Sequence, residues 1–290
     1  MHTPLSIVIP TRDRAQILRR CLDAIEKQTI RDQLEVIVVI DGEDPKTSDM
    51  LANLVWSFPL TCFAIPKSQQ GIARNRGVEQ AKGDYVLFIN DDVFLAPQAC
   101  QMHLYTHQRS FDTAHHDTYA VLGFTQWDPS LEITPVMRWL DKTGWQFGYD
   151  KIQEYTHKEI PKDIQHRFTY TSHISLPKKI AWKTTFREDV DLYGWEDIEW
   201  GMRLRDAGIS LMYEPDARAL HHHHLTLEDS LKRMEHIGKS AAHFASVCPE
   251  FDRLPKGWKL WTYRLISVLP TMRGRHAKAF LQGMGRDATV

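Results

Sequence analysis

Long apolar runs are missing from this 290-residue chain. The longest, such as 36–40 and 85–89, fall far short of the roughly 20 residues that cross a bilayer, so no transmembrane helix is expected. A secretory leader is not expected either. Met1-His2-Thr3-Pro4 leads directly into a strand-like stretch at 6–10, with neither a basic n-region nor an apolar h-region. Cysteine is scarce: Cys21, Cys62, Cys100 and Cys248 are scattered and form no CxxC pair. They read as reduced core thiols of a cytoplasmic protein, and a structural zinc site on them is not expected. Nor is there an excess of one charge, with 36 Lys and Arg against 37 Asp and Glu. That balance excludes a polycation or an acidic tail and speaks against nucleic acid as the main partner, since duplex binders carry a clear basic excess. No GxSxG elbow supports a serine hydrolase. Gly238-Lys239-Ser240 lacks the upstream glycine of a P-loop, and His103 and His107 have the zincin spacing without its Glu.

What is present has a clear rhythm. Hydrophobic content of 42% and charged content of 25% suit a globular chain with a large core. Strand-like runs at 6–10, 34–40, 61–65 and 85–89 alternate with helical periods after Asp13, at 45–56 and at 71–81. Asp13 with Gln16 predicts a capping box for the first helix, and Thr226 with Asp229 predicts another for a helix over 227–247. This alternation predicts an α/β fold with a doubly wound parallel sheet, whose ligands bind beyond the carboxyl ends of the strands. Asp41 and the pair Asp91-Asp92 fall at such ends. Residues 115–165 have weak periodicity and predict long loops. Order returns at 171–176, 196–207 and 209–213, and 217–220 again looks like a strand.

Four segments can carry chemistry. Asn90-Asp91-Asp92 follows a buried strand, where adjacent carboxylates either cap a turn or hold a hard divalent ion. The segment 71–77 opens a helix with small residues and two arginines, which suits a phosphate or close packing on the sheet. Glu196, Asp197 and Glu199 fall in the first turn of a helix, where acids complement the dipole. Trp195 and Trp200 flank them, as aromatic faces beside carboxylates do where a sugar is held, and an Asp there can act as a general base. His221-His222-His223-His224 follows a strand-like run and can supply a metal ligand facing Asp92.

Together, SIVIPTRDR, EVIVVIDGEDPKT, GIARNRGVEQAKGDYVLFINDDV, GWEDIEWGMRLRDAG and YEPDARALHHH resemble a family 2 glycosyltransferase of the GT-A fold. The resemblance covers residues 5 to 245. It implies a Rossmann-like, mostly parallel central sheet with helices on both faces. It also implies a nucleotide-sugar donor, a Mn²⁺ or Mg²⁺ ion and inversion at the anomeric carbon. By resemblance, Pro10, Thr11 and Asp41 hold the nucleoside, Arg74 reaches the base or diphosphate, and Asp91 approaches the ribose. Asp92 and His221 would hold the metal, although His222 or His223 can take the histidine's role. Asp197 would be the catalytic base, Glu196 would hydrogen-bond the acceptor and Trp195 would stack on it. The metal motif departs from a strict DxD.

The expected division is a catalytic domain at 1–250, with a nucleotide-sugar half at 1–100 and an acceptor half at 101–250, followed by a basic, aromatic extension at 251–290. From Arg253 to Arg286 there are eight Lys or Arg and no Asp or Glu. Such a segment can contact the inner membrane surface, or pack its apolar residues on the catalytic domain. The expected acceptor is a glycan or lipid-linked saccharide, with UDP-sugar the first donor. Two rivals are a catalytically silent carbohydrate- or partner-binding protein and a sugar nucleotidyltransferase. The latter needs a glycine-rich loop that Pro10-Thr11-Arg12-Asp13 does not provide.

Overall fold

The run LSIVIPT forms strand β1 (Leu5–Thr11), buried along its whole length as a central strand covered on both faces must be. It belongs to a computed structural model that describes residues 4–109, 119–251 and 254–285. Helix α1 (Ala15–Ile25) buries Leu18, Cys21, Leu22 and Ile25, the face its apolar period predicts. The Asp13–Gln16 capping box does not form. Asp13 is left-handed (φ 54°) and donates its N–H to Asp44 Oδ2 at 2.8 Å, leaving Arg14 at the N-cap position.

Strand β2 (Leu34–Asp41), helix α2 (Pro45–Ala52), strand β3 (Leu60–Ile65), helix α3 (Gln70–Gln80) and strand β4 (Tyr85–Ile89) complete a parallel half-sheet in the order β3-β2-β1-β4. Helix α2 stops short of the expected 56, because Trp56 leaves it to stack on Phe58. Helix α3 lies unusually close to the sheet. A Cβ on Gly77 would collide with Val8, and one on Gly71 would stand 2.8 Å from Phe186 Cβ.

The second half comprises strand β5 (Val93–Leu95), helix α4 (Ala99–Gln108), strand β6 (Tyr119–Trp127), helix α5 (Pro135–Thr143), strands β7 (Lys158–Ile160) and β8 (His173–Pro177), helices α6 (Lys178–Lys183) and α7 (Glu196–Asp206), and strand β9 (Ser210–His221). Strand β8 runs antiparallel between β4 and β6, while β6 and β9 are parallel. Strands β5 and β7 pair antiparallel with β9 and close a nine-stranded sheet among the described residues. Apolar layers pack on both of its faces.

Three expectations are corrected here. Residues 115–165 are not mainly loops, although 115–118 lie outside the described residues. Strand β6 runs through the core, and Thr134 caps α5, which Gly144 closes in the left-handed region (φ 66°). The strands at 209–213 and 217–220 are one strand, β9, bent at Pro215-Asp216 where its register on β6 shifts. A proline, lacking an N–H, suits that bulge. Cys62 is exposed on β3, whereas Cys21, Cys100 and Cys248 are buried, and all four are free thiols.

Helix α8 (Leu227–Val247) begins with the expected capping box. Helices α9 (Gly257–Ser267) and α10 (Met272–Gly283) follow. Helix α10 lies against α8 so closely that a Cβ on Gly283 would collide with the Glu235 carbonyl. Phe280 joins Leu192, Met202 and Phe244 in one apolar cluster, so the extension is folded onto the body. Among the described residues no helix is long and apolar enough to cross a membrane.

Candidate active site

The ends of β1, β2 and β4 meet the end of β9 over one cavity of about 1240 Å³. Asp91 and Asp92, just past β4, are both buried, and the chain neutralises them from within. Arg14 donates Nη1 to Asp91 Oδ1 at 2.8 Å and Nη2 to Asp92 Oδ2 at 2.9 Å. Thr11 Oγ1 adds a 2.7 Å bond to Asp91 Oδ2. Burial, opposed by Arg14, pushes the Asp91 carboxyl up to about 6. Burial acts the same way on Asp92, but His221, His223 and Arg14 outweigh it and hold that carboxyl well below the ordinary range.

The histidine run resolves by the alternation of extended backbone, in which successive side chains point to opposite sides. His221 Nε2 lies 3.5 Å from Asp92 Oδ1, and His223 Nδ1 lies 3.1 Å from Asp92 Oδ2. His222 turns the other way, to Asp128 Oδ2 at 2.6 Å and to Arg20. One donor atom from each of Asp92, His221 and His223 lies within 4.8 Å of the other two. Asp92 Oδ1 and His221 Nδ1 are buried without a hydrogen-bond partner among the described residues. Two imidazole nitrogens and a carboxylate oxygen fit a divalent cation. Trp127 stacks on His221 with ring centroids 5.1 Å apart, and Phe147 meets its edge.

Arg74 is carried to the cavity by the close approach of α3. It is buried, donates Nη2 to Asn90 Oδ1 at 2.8 Å and lies over Phe186, while its Nε and Nη1 have no hydrogen-bond partner among the described residues. The next residue, Asn75, clamps the Phe186 backbone with two 2.8 Å bonds, which fixes the wall beneath Arg74. Asp41, half-buried at the rim, accepts from Ser68 N–H at 2.6 Å.

Across the cavity the acids of α7 separate into three roles. Glu199 is tied to Arg203 by bonds of 2.7 and 2.8 Å, which is helix-turn pairing. Asp197 faces the cavity, with Oδ1 accepting from Thr171 Oγ1 at 2.6 Å and Oδ2 from Thr171 N–H at 3.2 Å. Burial raises its carboxyl, and Arg74 and Thr171 counteract part of that rise. Glu196 is also raised, by burial and then by the neighbouring charge of Asp197, and its Oε2 has no hydrogen-bond partner among the described residues. Trp195 lines the cavity, but one of its faces is stacked on Phe244 at 4.7 Å and its indole N–H donates to Ile237 O. Trp200 is fully buried against Phe186 and cannot touch a sugar.

Residues 6–172 match the family model "Glycosyl transferase family 2". The chain belongs to that family. Similar proteins include the uncharacterized glycosyltransferase YfnE of Bacillus subtilis (strain 168), 24% identical over 86% of this chain and 71% of that one. The validoxylamine A glucosyltransferase of Streptomyces hygroscopicus subsp. jinggangensis is 28% identical over 72% of this chain, which spans only 53% of its length. Among solved structures, the Pyrobaculum calidifontis mannosyltransferase PcManGT, in complex with GDP-Man and Mn²⁺, superposes with a TM-score of 0.62 at 14% identity. It is covered over 87% of its length and covers 99% of this chain. The S. aureus TarS fragment 1–349 with UDP-GlcNAc gives 0.57 at 18% identity, over 97% of this chain and 81% of that one. These likenesses establish the GT-A fold.

Asp41, Arg74, Asp92, His221, Trp195, Glu196 and Asp197 therefore line one cavity. Thr11 and Asp91 lie beneath Arg14, off the cavity wall, and Pro10 is buried within β1. Sequence reasoning missed Arg14, Thr171 and the Trp127–Phe147 wall. It offered His222 and His223 only as alternatives to His221, whereas the structure turns His221 and His223 together towards Asp92 and His222 away. Arg14 had a signal, because a cation following the β1 end faces the two acids that end β4. Thr171 had none, since its role depends on where β8 meets α7.

Proposed function

We propose that the protein is an inverting glycosyltransferase. It would move a sugar from a nucleotide-diphosphate sugar to a hydroxyl of a glycan or lipid-linked saccharide, in cell-surface polysaccharide synthesis on the cytoplasmic side. The observation that carries this reading is the opposition, across one cavity, of the Asp41–Arg74–Asp92–His221 wall and Asp197. In this reading Asp41 and Ser68 hold the nucleoside, with Thr11 and Asp91 behind them, and Arg74 offers its unpartnered N–H groups to the diphosphate. A divalent ion held by Asp92, His221 and His223 would supply charge neutralisation at the leaving diphosphate. Asp197 accepts the acceptor hydroxyl's proton as the oxygen bonds to the anomeric carbon. The bond from that carbon to the phosphate oxygen breaks on the opposite face, and its electron pair leaves with the diphosphate. Thr171 aims the Asp197 oxygens, and burial, which raises the Asp197 carboxyl, brings that base closer to working pH.

The imidazole-containing donor set favours Mn²⁺ over Mg²⁺, which prefers oxygen ligands. The neighbours were solved with a guanosine and a uridine diphosphate sugar, so both nucleotides belong in the test. The decisive measurement is calorimetry of UDP, GDP and dTDP with and without Mn²⁺. One of them should bind tightly only with metal. Binding of none to folded protein removes the donor site and brings the silent-scaffold reading forward. Asp197→Asn should lower transfer by about 10²- to 10⁴-fold while nucleotide binding stays nearly intact. Retained turnover in that variant refutes the assigned base.

A further inference from the structure

Helix α9 buries only one of its residues, Ser267, and leaves a row of large apolar side chains uncovered. Trp258, Trp261, Leu265 and Val268 are 75%, 67%, 57% and 70% exposed. Their spacing of three, four and three residues gathers them into one stripe of the helix surface, which Leu269 extends. Patches of this kind on a globular protein mark a contact surface. The opposite side of the same helix is engaged. Tyr263 packs on Phe280, with centroids 6.0 Å apart, and lines the cavity that holds Asp197.

We propose that this stripe docks α9 in the plane of an anionic membrane surface. Charge complementarity selects the occupant. The segment from Arg253 to Arg286 holds eight Lys or Arg and no acid. At 100° per residue, Arg264 falls on one flank of the apolar row, next to Val268, and the exposed Lys256 stands at its N-cap. Long cationic side chains there can lay their stems along the apolar face and reach lipid phosphates with their heads. Tryptophan is the side chain that prefers the level of the headgroups. With eleven residues α9 is too short to cross a bilayer, so it lies in the interface. Docking through this stripe would hold the cavity beside the lipid, with α9 between them and Tyr263 on the cavity side. That proximity, which rests on the proposed transfer reaction, suits an acceptor carried on a lipid. The docking itself is independent of that reaction.

The test is flotation of the full chain with vesicles of phosphatidylglycerol and phosphatidylcholine in equal parts, and with phosphatidylcholine alone. The protein should float with the anionic vesicles, less so at high salt, and far less with the neutral ones. Trp258→Glu combined with Trp261→Glu should lower that binding on the order of tenfold or more, because it removes both anchors and adds repulsion. Both side chains are exposed, so the melting curve and nucleotide binding should stay unchanged, which separates lost docking from lost folding or a lost donor site. Failure of the native chain to float, or equal flotation of the variant, overturns the proposal. A concentration-dependent dimer in vesicle-free buffer that the variant abolishes, without flotation, assigns the stripe to a second copy of the chain and overturns it as well.

Discussion

Arg14 sits where a cation is called for. It bonds Asp91 and Asp92 together and so lets two buried carboxylates stand side by side without a metal. Removing one partner of a buried ion pair leaves the other charge uncompensated, a loss reduced here by the partial exposure of Arg14. Arg14→Ala should therefore cost roughly 1–3 kcal/mol without metal. It should also raise Mn²⁺ affinity by about tenfold in the absence of nucleotide, because the competing charge has gone. Calorimetry and thermal melts with and without Mn²⁺ check both, and an unchanged Mn²⁺ affinity would rule out the competition. His223→Ala should weaken Mn²⁺ by at least about tenfold, whereas His224→Ala, outside the donor set, should not. The acids and His221 were legible because each residue type states its chemistry. Arg14 and His223 needed the fold to show which way they point.

At the scale of elements, the site depends on how closely α3 approaches β1. The Gly77→Ala side chain has no room beside Val8, so the helix or the strand must shift, at about 1–3 kcal/mol. The same shift should displace Arg74 and weaken nucleotide binding, as chemical denaturation and calorimetry on one variant can show together. Thr226→Ala removes the cap of α8 and should cost about 1 kcal/mol while leaving nucleotide binding alone. The parallel half-sheet was readable because its strands are continuous apolar runs between turn residues. Strand β6 was not, since Gly123 interrupts its run for a reason visible only in the fold: a Cβ there would collide with the His173 imidazole. The false capping box at Asp13 has a similar origin, because its N–H is drawn to Asp44, a partner 31 residues away.

Across the whole molecule, the core carries three histidines between α4, β6 and β8. His103 Nδ1 and His107 Nε2 each lie 2.8 Å from Ser175 Oγ, and His173 Nδ1 lies 3.1 Å from Thr125 Oγ1. Burial depresses all three, with His107 and His173 pushed down to about 3 and His103 well below its usual value. The unfolded chain therefore binds more protons than the folded one between about pH 6.5 and about pH 3. Their contribution is complete above about pH 6.5 and is lost as pH falls towards the folded values, by up to about 1.4 kcal/mol per pH unit for each histidine. The raised carboxyls of Asp91, Glu196 and Asp197 act in the opposite sense over the same range. Urea unfolding between about pH 7 and about pH 5 should therefore show this decline as the difference between the native chain and a His107→Gln, His173→Gln variant, and an identical pH dependence of the two would refute it. The zincin-like spacing of His103 and His107 thus has a packing explanation. Sequence spacing alone could not separate two histidines facing a metal from two facing a buried serine.

The bend in β9 gives the histidine run a tolerance to length change. Deleting one residue at the exposed bulge around Asp216 would draw the strand end back by one position and exchange its two sides. With a single pair of histidines that slip would point both away from Asp92. In a run of four, His222 and His224 would arrive where His221 and His223 now stand. The ligand pair is in this sense written twice, once in each phase of the strand, so a one-residue loss that scrambles Ala219 and Leu220 still returns two imidazoles to the same carboxylate.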